Sequence, residues 1–224
     1  MQAESGTSER RPSDRPPIPW WRSPWVVAGI VGFITIPILR VYLRHIPEPP
    51  KKMYQLPAFE LLDQDGKPFT LERLKGHVTV VNFFFTSCQM ICGKLTQQMG
   101  KLQAKYDAAD VPIRLLSISV DPDTDRPAVL KAYMRRYGAD PKRWTFVTSK
   151  PGERKKLVTL IIDGFKQAMG DKKPNGQGII DIAHSARFAI VDRDGAIRGF
   201  YESTEIGLDE IFHRSRHVLR PPKR

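Results

Sequence analysis

Cysteine is almost absent: only Cys88 and Cys92 occur in 224 residues. Two thiols are too few for a disulfide-built scaffold or for a structural zinc site of three or four thiolates. Acidic residues are also scarce, with 24 Asp and Glu against 36 Lys and Arg and a net charge of +12. Residues 1–52 hold eight Lys or Arg and four Asp or Glu, so they carry +4, leaving 12 − 4 = +8 for the rest. Such a surplus suits an acidic protein partner, anionic lipid or nucleic acid. Zinc-finger spacing and an RNP-type aromatic motif are both missing, so nucleic acid is not expected as a partner. There is no internal repeat, and no A-x-A-like cleavage site follows the single long apolar run.

That run, Trp25 to Leu39, is uncharged and is bracketed by Trp20, Trp21 and Trp25 before it and Tyr42 after it. With Arg40 snorkelling, residues 24–43 supply the roughly 20 positions needed for an uncleaved transmembrane helix with aromatic residues at both interfaces. Arg10, Arg11, Arg15 and Arg22 precede the run, and Arg40, Arg44, Lys51 and Lys52 follow it. The positive-inside count is therefore tied. Residues 1–23 have the Ser, Arg, Pro and Glu composition of a disordered tail. Residues 44–52 read as a stiff proline-containing linker. A folded domain is expected over 53–219, followed by a basic tail at 220–224.

The domain is organised around Val78 to Cys92. An apolar run through Phe85 meets Thr86-Ser87 and then a polar, helix-forming stretch, which is a buried strand running into a helix. Ser87 is a suitable N-cap, which places both cysteines in the first helical turn, where free N–H groups and the helix dipole favour thiolate. At i and i+4 on a helix their Cβ atoms are expected about 5–6 Å apart. A relaxed disulfide needs about 3.5–4.5 Å. The pair can thus close a disulfide with some adjustment, grip one metal ion, or simply be two small buried apolar residues.

Further along, Leu95, Met99 and Leu102 mark an amphipathic helix over 93–106. Val111–Val120 is a second buried strand, which completes a parallel right-handed βαβ unit. Asp121-Pro-Asp-Thr-Asp-Arg-Pro127 reads as turn and capping chemistry before a helix at 128–137. A strand at 144–148, a helix over 150–165 and a Gly- and Lys-rich loop over 167–178 follow. His184 is expected at the start of a hairpin strand, with Asp194-Gly195 at the hairpin's turn. A last amphipathic helix covers 207–219. This order predicts an α/β fold, a thioredoxin-like three-layer sandwich behind an N-terminal transmembrane helix.

Phe84-Phe-Thr-Ser-Cys88-Gln-Met-Ile-Cys92, Ser117-Ile-Ser-Val-Asp-Pro-Asp-Thr-Asp-Arg-Pro127, and His184-Ser185 before Val191-Asp-Arg-Asp-Gly195 together resemble the Sco/SenC proteins. These are membrane-anchored thioredoxin-fold copper chaperones for the binuclear copper centre of cytochrome c oxidase. The resemblance covers about residues 55–219. It implies copper ligands at Cys88, Cys92 and His184. The implied partners are the copper-bearing oxidase subunit and other copper chaperones. It also implies a soluble domain on the non-cytoplasmic side, in the periplasm or a mitochondrial intermembrane space. Gln89 and Gly93 stand where the family usually has prolines, and Ala183 where it usually has aspartate. Two soft thiolates with an imidazole suit Cu(I) and can also hold Cu(II).

The alternative function is a thiol–disulfide reductase, an enzyme in which Cys88 attacks a partner's disulfide and Cys92 resolves the mixed disulfide. The wider C-x3-C spacing, and the lack of an X-Pro beside His184, favour copper. A peroxidase reading rests only on Thr86 and Cys88, and a copper or redox sensor is a further possibility.

Overall fold

The computed structural model describes residues 19, 21, 23–42, 49–88, 92–174, 180–184 and 186–219, without the side chains of 40–42, 171–174, 180, 181, 183 and 184. Two compact units divide the chain, residues 1–47 and 48–224. The first contains helix α1 (Pro24–Tyr42), with Pro37 inside it. Its apolar side chains are largely exposed, Trp25 at 85% and Phe33 at 82%. Among the described residues no helix is long and apolar enough to cross a membrane. The expected spanning helix at 24–43 is therefore present as a helix only.

The second unit is built on an eight-stranded mixed sheet, ordered β1-β10-β9-β4-β5-β6-β2-β3. At its centre β4 (Val78–Phe84), β5 (Ile113–Ser119) and β6 (Trp144–Thr148) run parallel. β4 is buried along its whole length, as a central strand covered on both faces must be, which is why its sequence is mostly apolar rather than alternating, with Thr79 and Asn82 as its buried polar residues. β9 (Phe188–Val191) and β10 (Ala196–Tyr201) form the expected hairpin against the other side of β4, and β1 (Tyr54–Gln55) pairs with β10. β2 (Glu60–Asp63) and β3 (Pro68–Thr70) close the far edge before the short helix α2 (Leu71–Leu74).

Helices cover both faces. α3 (Cys92–Ala108) connects β4 to β5 and α4 (Pro127–Arg136) connects β5 to β6. Both are crossovers between parallel strands, so they share a face. α6 (Glu205–Leu219) joins them there through the stack of Tyr106 on Phe212. Phe84 packs toward that side against Tyr133 of α4 (ring centroids 5.2 Å apart), while its neighbour Phe83 meets Phe165 on the opposite side at 5.3 Å. That alternation makes the fold a three-layer α/β sandwich.

Two elements differ from the sequence reading. The helix expected over 150–165 is α5 (Arg154–Thr159), continued by a π-type turn over Leu160–Gly164 in which Phe165 N–H reaches the Leu160 carbonyl at 2.9 Å. Gly164 lies tight against Pro57, and the wider turn delivers Phe165 to the core. The loop expected over 167–178 is partly strand: β7 (Met169–Pro174) pairs antiparallel with β8 (Ile180–His184) as a separate two-stranded sheet. Its Gly and Lys content masked this ladder. His184 accordingly ends β8 rather than starting a strand.

Phe84 is fully buried between α4 and the sheet. Phe84→Ala is expected to cost about 3–5 kcal/mol of folding free energy, read from the midpoint of a denaturant titration.

Candidate metal centre

β4 ends at Phe84, and its ladder with β5 is extended by a hydrogen bond from Val120 N–H to the Phe84 carbonyl at 2.8 Å. The chain then turns, with Cys88 N–H donating to the Phe85 carbonyl at 3.3 Å. Cys88 is half-buried in this turn, and Cys92 opens α3 fully buried. The expectation that both cysteines sit within the first helical turn is thus met only for Cys92. Residues 89–91, Gln89 among them, lie outside the described ones. The two thiols are nevertheless brought together, since Cys92 N–H donates to Cys88 Sγ at 3.4 Å. No disulfide joins the pair in this structure.

The turn is fixed from across the sheet by Asp125, which is fully buried. Its carboxylate accepts Thr86 N–H at 3.1 Å, the Thr86 hydroxyl, and the Ser119 hydroxyl at 2.5 Å. Asp125 therefore ties the end of β5 to the residue two before Cys88. The sequence reading gave this aspartate a capping role, and the structure corrects that. Arg126 occupies the N-cap position of α4 without a side-chain cap bond. The turn itself is made by Asp121, whose carbonyl accepts Thr124 and Asp125 N–H. The only signal for Asp125 in the sequence was a carboxylate in an otherwise ordinary turn.

The other side of Cys92 is held by α3 and α4. The Thr96 hydroxyl donates to the Cys92 carbonyl at 2.9 Å and shares a 2.9 Å hydrogen bond with Tyr133 Oη. Burial pushes the Tyr133 phenol above its ordinary range, so it remains neutral. Tyr137 lies beside Tyr133, ring centroids 4.7 Å apart, and its hydroxyl stands 3.2 Å from where a Cβ on Gly93 would lie. Glycine at 93, where the resemblance leads one to expect proline, leaves room for that phenol.

His184 has a described backbone only. It closes the β7–β8 ladder directly opposite Met169. Ile182 belongs to the main core, and Met169, Ala186 and Cys88 pack against the same core, so the base of this hairpin rests on the body of the domain. The His184 and Ala183 side chains lie outside the described ones. Among the described residues no three His, Cys, Asp or Glu side chains group around one metal position. Two thiols, one buried and one half-buried, form a soft donor pair that fits Cu(I) and needs at least one further ligand.

A dithiol at the start of α3, behind the central strand of a three-layer sandwich, defines a thioredoxin-like protein. The SCO1/SenC family model matches residues 48–220, and the chain belongs to that family. The SCO1 protein homolog of Bacillus subtilis (strain 168) is 34% identical over 152 residues, 68% of this chain and 76% of that protein. Among solved structures, that of BsSco is similar at 32% identity and a TM-score of 0.66, over 77% of this chain and 96% of that one. It is described as a Sco-family cytochrome c oxidase assembly protein with a disulfide switch. Bradyrhizobium japonicum ScoI, solved with copper bound, aligns with a TM-score of 0.60 at 27% identity, over 73% of this chain and 99% of that one.

Burial raises the Asp125 carboxyl above the ordinary aspartate value of 3.8, opposed by the Ser119 and Thr86 hydrogen bonds and reinforced by the charge of Asp121. The folded state therefore keeps this proton to higher pH than the unfolded chain, and the protein loses stability as pH rises from about 4 through the raised value. Asp125→Asn removes that titration. Denaturant unfolding across this pH range is expected to show wild type declining relative to the variant; parallel profiles would contradict the assignment.

Proposed function

We propose that this protein is a copper-binding assembly factor that delivers copper to the binuclear copper centre of cytochrome c oxidase. Copper is the cargo, held by Cys88, Cys92 and His184 and passed on by ligand exchange to the copper-bearing oxidase subunit. The observation that carries this reading is the Cys92 N–H to Cys88 Sγ contact, which pairs two thiols at the start of a helix in a chain of the SCO1/SenC family. The copper-bound relative ScoI supports it. In the reaction as proposed, Asp125 and Thr86 hold the turn that presents Cys88, Thr96 and Tyr133 hold the start of α3, and the half-buried Cys88 is the sulfur open to a partner. A neutral Tyr133 adds no charge beside the thiolates.

The test is a competition titration of reduced, oxygen-free protein with Cu(I). One tight equivalent is expected, lost in Cys88→Ser and in Cys92→Ser and weakened at least about tenfold in His184→Ala. Absence of tight binding, with a readily reducible Cys88–Cys92 disulfide, would favour the second reading. In that reading the same pair works as a thiol–disulfide reductase on an oxidase subunit or another exported protein. The disulfide switch described for BsSco is the observation that keeps it in view.

The reading also includes anchoring by α1, with the folded domain on the non-cytoplasmic side. The exposed apolar side chains of α1 are what a lipid environment would cover. Carbonate washing of membranes should leave the full-length protein in the pellet, while Phe33→Glu with Ile34→Glu should release it. The basic balance of the domain suits docking to an acidic partner. Complex formation with the oxidase subunit should weaken as salt rises, and a salt-independent affinity would end that part of the proposal.

A further inference from the structure

Positive charge gathers at the foot of β4. Thr79 stands in register with Arg114 of β5, so the two side chains leave the sheet on the same face. His77, two residues before Thr79, sits just ahead of the strand. From the other side, Gly76 N–H donates to the Arg193 carbonyl at 2.8 Å, which sets the turn after β9 beside His77. His77 is half-buried, and both arginines are exposed. The charges that act here are all positive: Arg114 and Arg193 act on His77, and Arg73 acts on Arg114. Burial first, and then the two guanidiniums, hold the imidazole below its ordinary pKa of 6.5, so at neutral pH it offers an uncharged N–H donor. The carboxylates of this region are taken. Arg73 pairs with Asp63 at 2.8 Å, Arg198 with Asp192 at 2.6 Å, Lys75 with Glu72 at 2.7 Å, and Lys52 with Asp194. Among the described residues, Arg114 and Arg193 have no carboxylate partner. The buried Thr79 hydroxyl also has no hydrogen-bond partner, an unused polar group at the same place.

We propose that His77, Arg114 and Arg193 form a binding site for a dianionic phosphate group, inorganic or at the end of a small phosphomonoester. Like charges held together without a counter-ion repel, and a bound anion turns that repulsion into attraction. Guanidinium groups present forked donors that match the oxygens of phosphate, and the imidazole adds a third donor. Two guanidinium charges balance a dianion, whereas a carboxylate or a phosphodiester brings only one negative charge. The site is remote from the cysteine pair. It lies where β4 begins at Val78, and the cysteine turn follows the other end at Phe84, a rise of roughly 20 Å along the strand. It shares no residue with Cys88, Cys92 or His184, so it stands or falls separately from the proposed function.

The test titrates full-length protein, labelled with carbon-13 on its histidine rings, with inorganic phosphate at pH 8 and constant ionic strength. Calorimetry is expected to show one saturable site, and the His77 ring resonance should move along the same saturation curve. Arg114→Gln and Arg193→Gln should each weaken binding about tenfold. Both positions are exposed, so the folded domain should survive either change, and thermal unfolding without phosphate checks this. Dimethyl phosphate, a monoanion like a lipid phosphodiester, should bind at least about tenfold more weakly than phosphate. No saturation at constant ionic strength, a His77 resonance that stays still, or unchanged affinity in both arginine variants would overturn the proposal. Equal affinity for dimethyl phosphate would also overturn it, because the site would then not be matched to a dianion.

Discussion

The Asp125 carboxylate accepts hydrogen bonds from both ends of the region that matters: Ser119 at the end of β5 and Thr86 just after β4. Two parallel strands and the cysteine turn are thereby joined at one buried point. A buried carboxylate is costly unless its acceptors are used, and here donors from Ser119 and Thr86 use them. The geometry of Cys88 follows from this. The turn can present a half-buried thiol because the residue two positions before it is bound through both its amide and its hydroxyl.

The second constraint acts from the helical side. Thr96, itself hydrogen-bonded to Tyr133, donates to the Cys92 carbonyl, and Tyr137, which packs on Tyr133, places its hydroxyl beside Gly93. The two cysteines thus sit between a clamp on the strand side and a clamp on the helix side. With glycine rather than proline at 93, the Tyr137 hydroxyl can stand beside the start of α3.

The sandwich was legible because burial wrote itself plainly into the chain. The mostly apolar stretch of β4, the stripe of Leu95, Met99 and Leu102, and the Asp194-Gly195 turn each specify one element. The cysteine pair was legible as chemistry for the same reason: two thiols at a strand-to-helix junction are unusual. What escaped sequence reading were features made by contacts distant in sequence. Asp125 looked like a turn residue because its partner Thr86 lies 39 positions away. The β7–β8 ladder was hidden because backbone pairing leaves no apolar alternation in a Gly- and Lys-rich segment. The π-type turn at Leu160–Gly164 depends on packing against Pro57 and Phe83, which no local pattern encodes.

The central claim is that Cys88, Cys92 and His184 share one copper ion. X-ray absorption at the copper edge of full-length Cu(I)-loaded protein tests it most directly. The account predicts a shell of two sulfurs and one nitrogen, with one sulfur fewer in Cys92→Ser and the nitrogen lost in His184→Ala. A shell of nitrogen and oxygen alone, or one unchanged by Cys92→Ser, would contradict it.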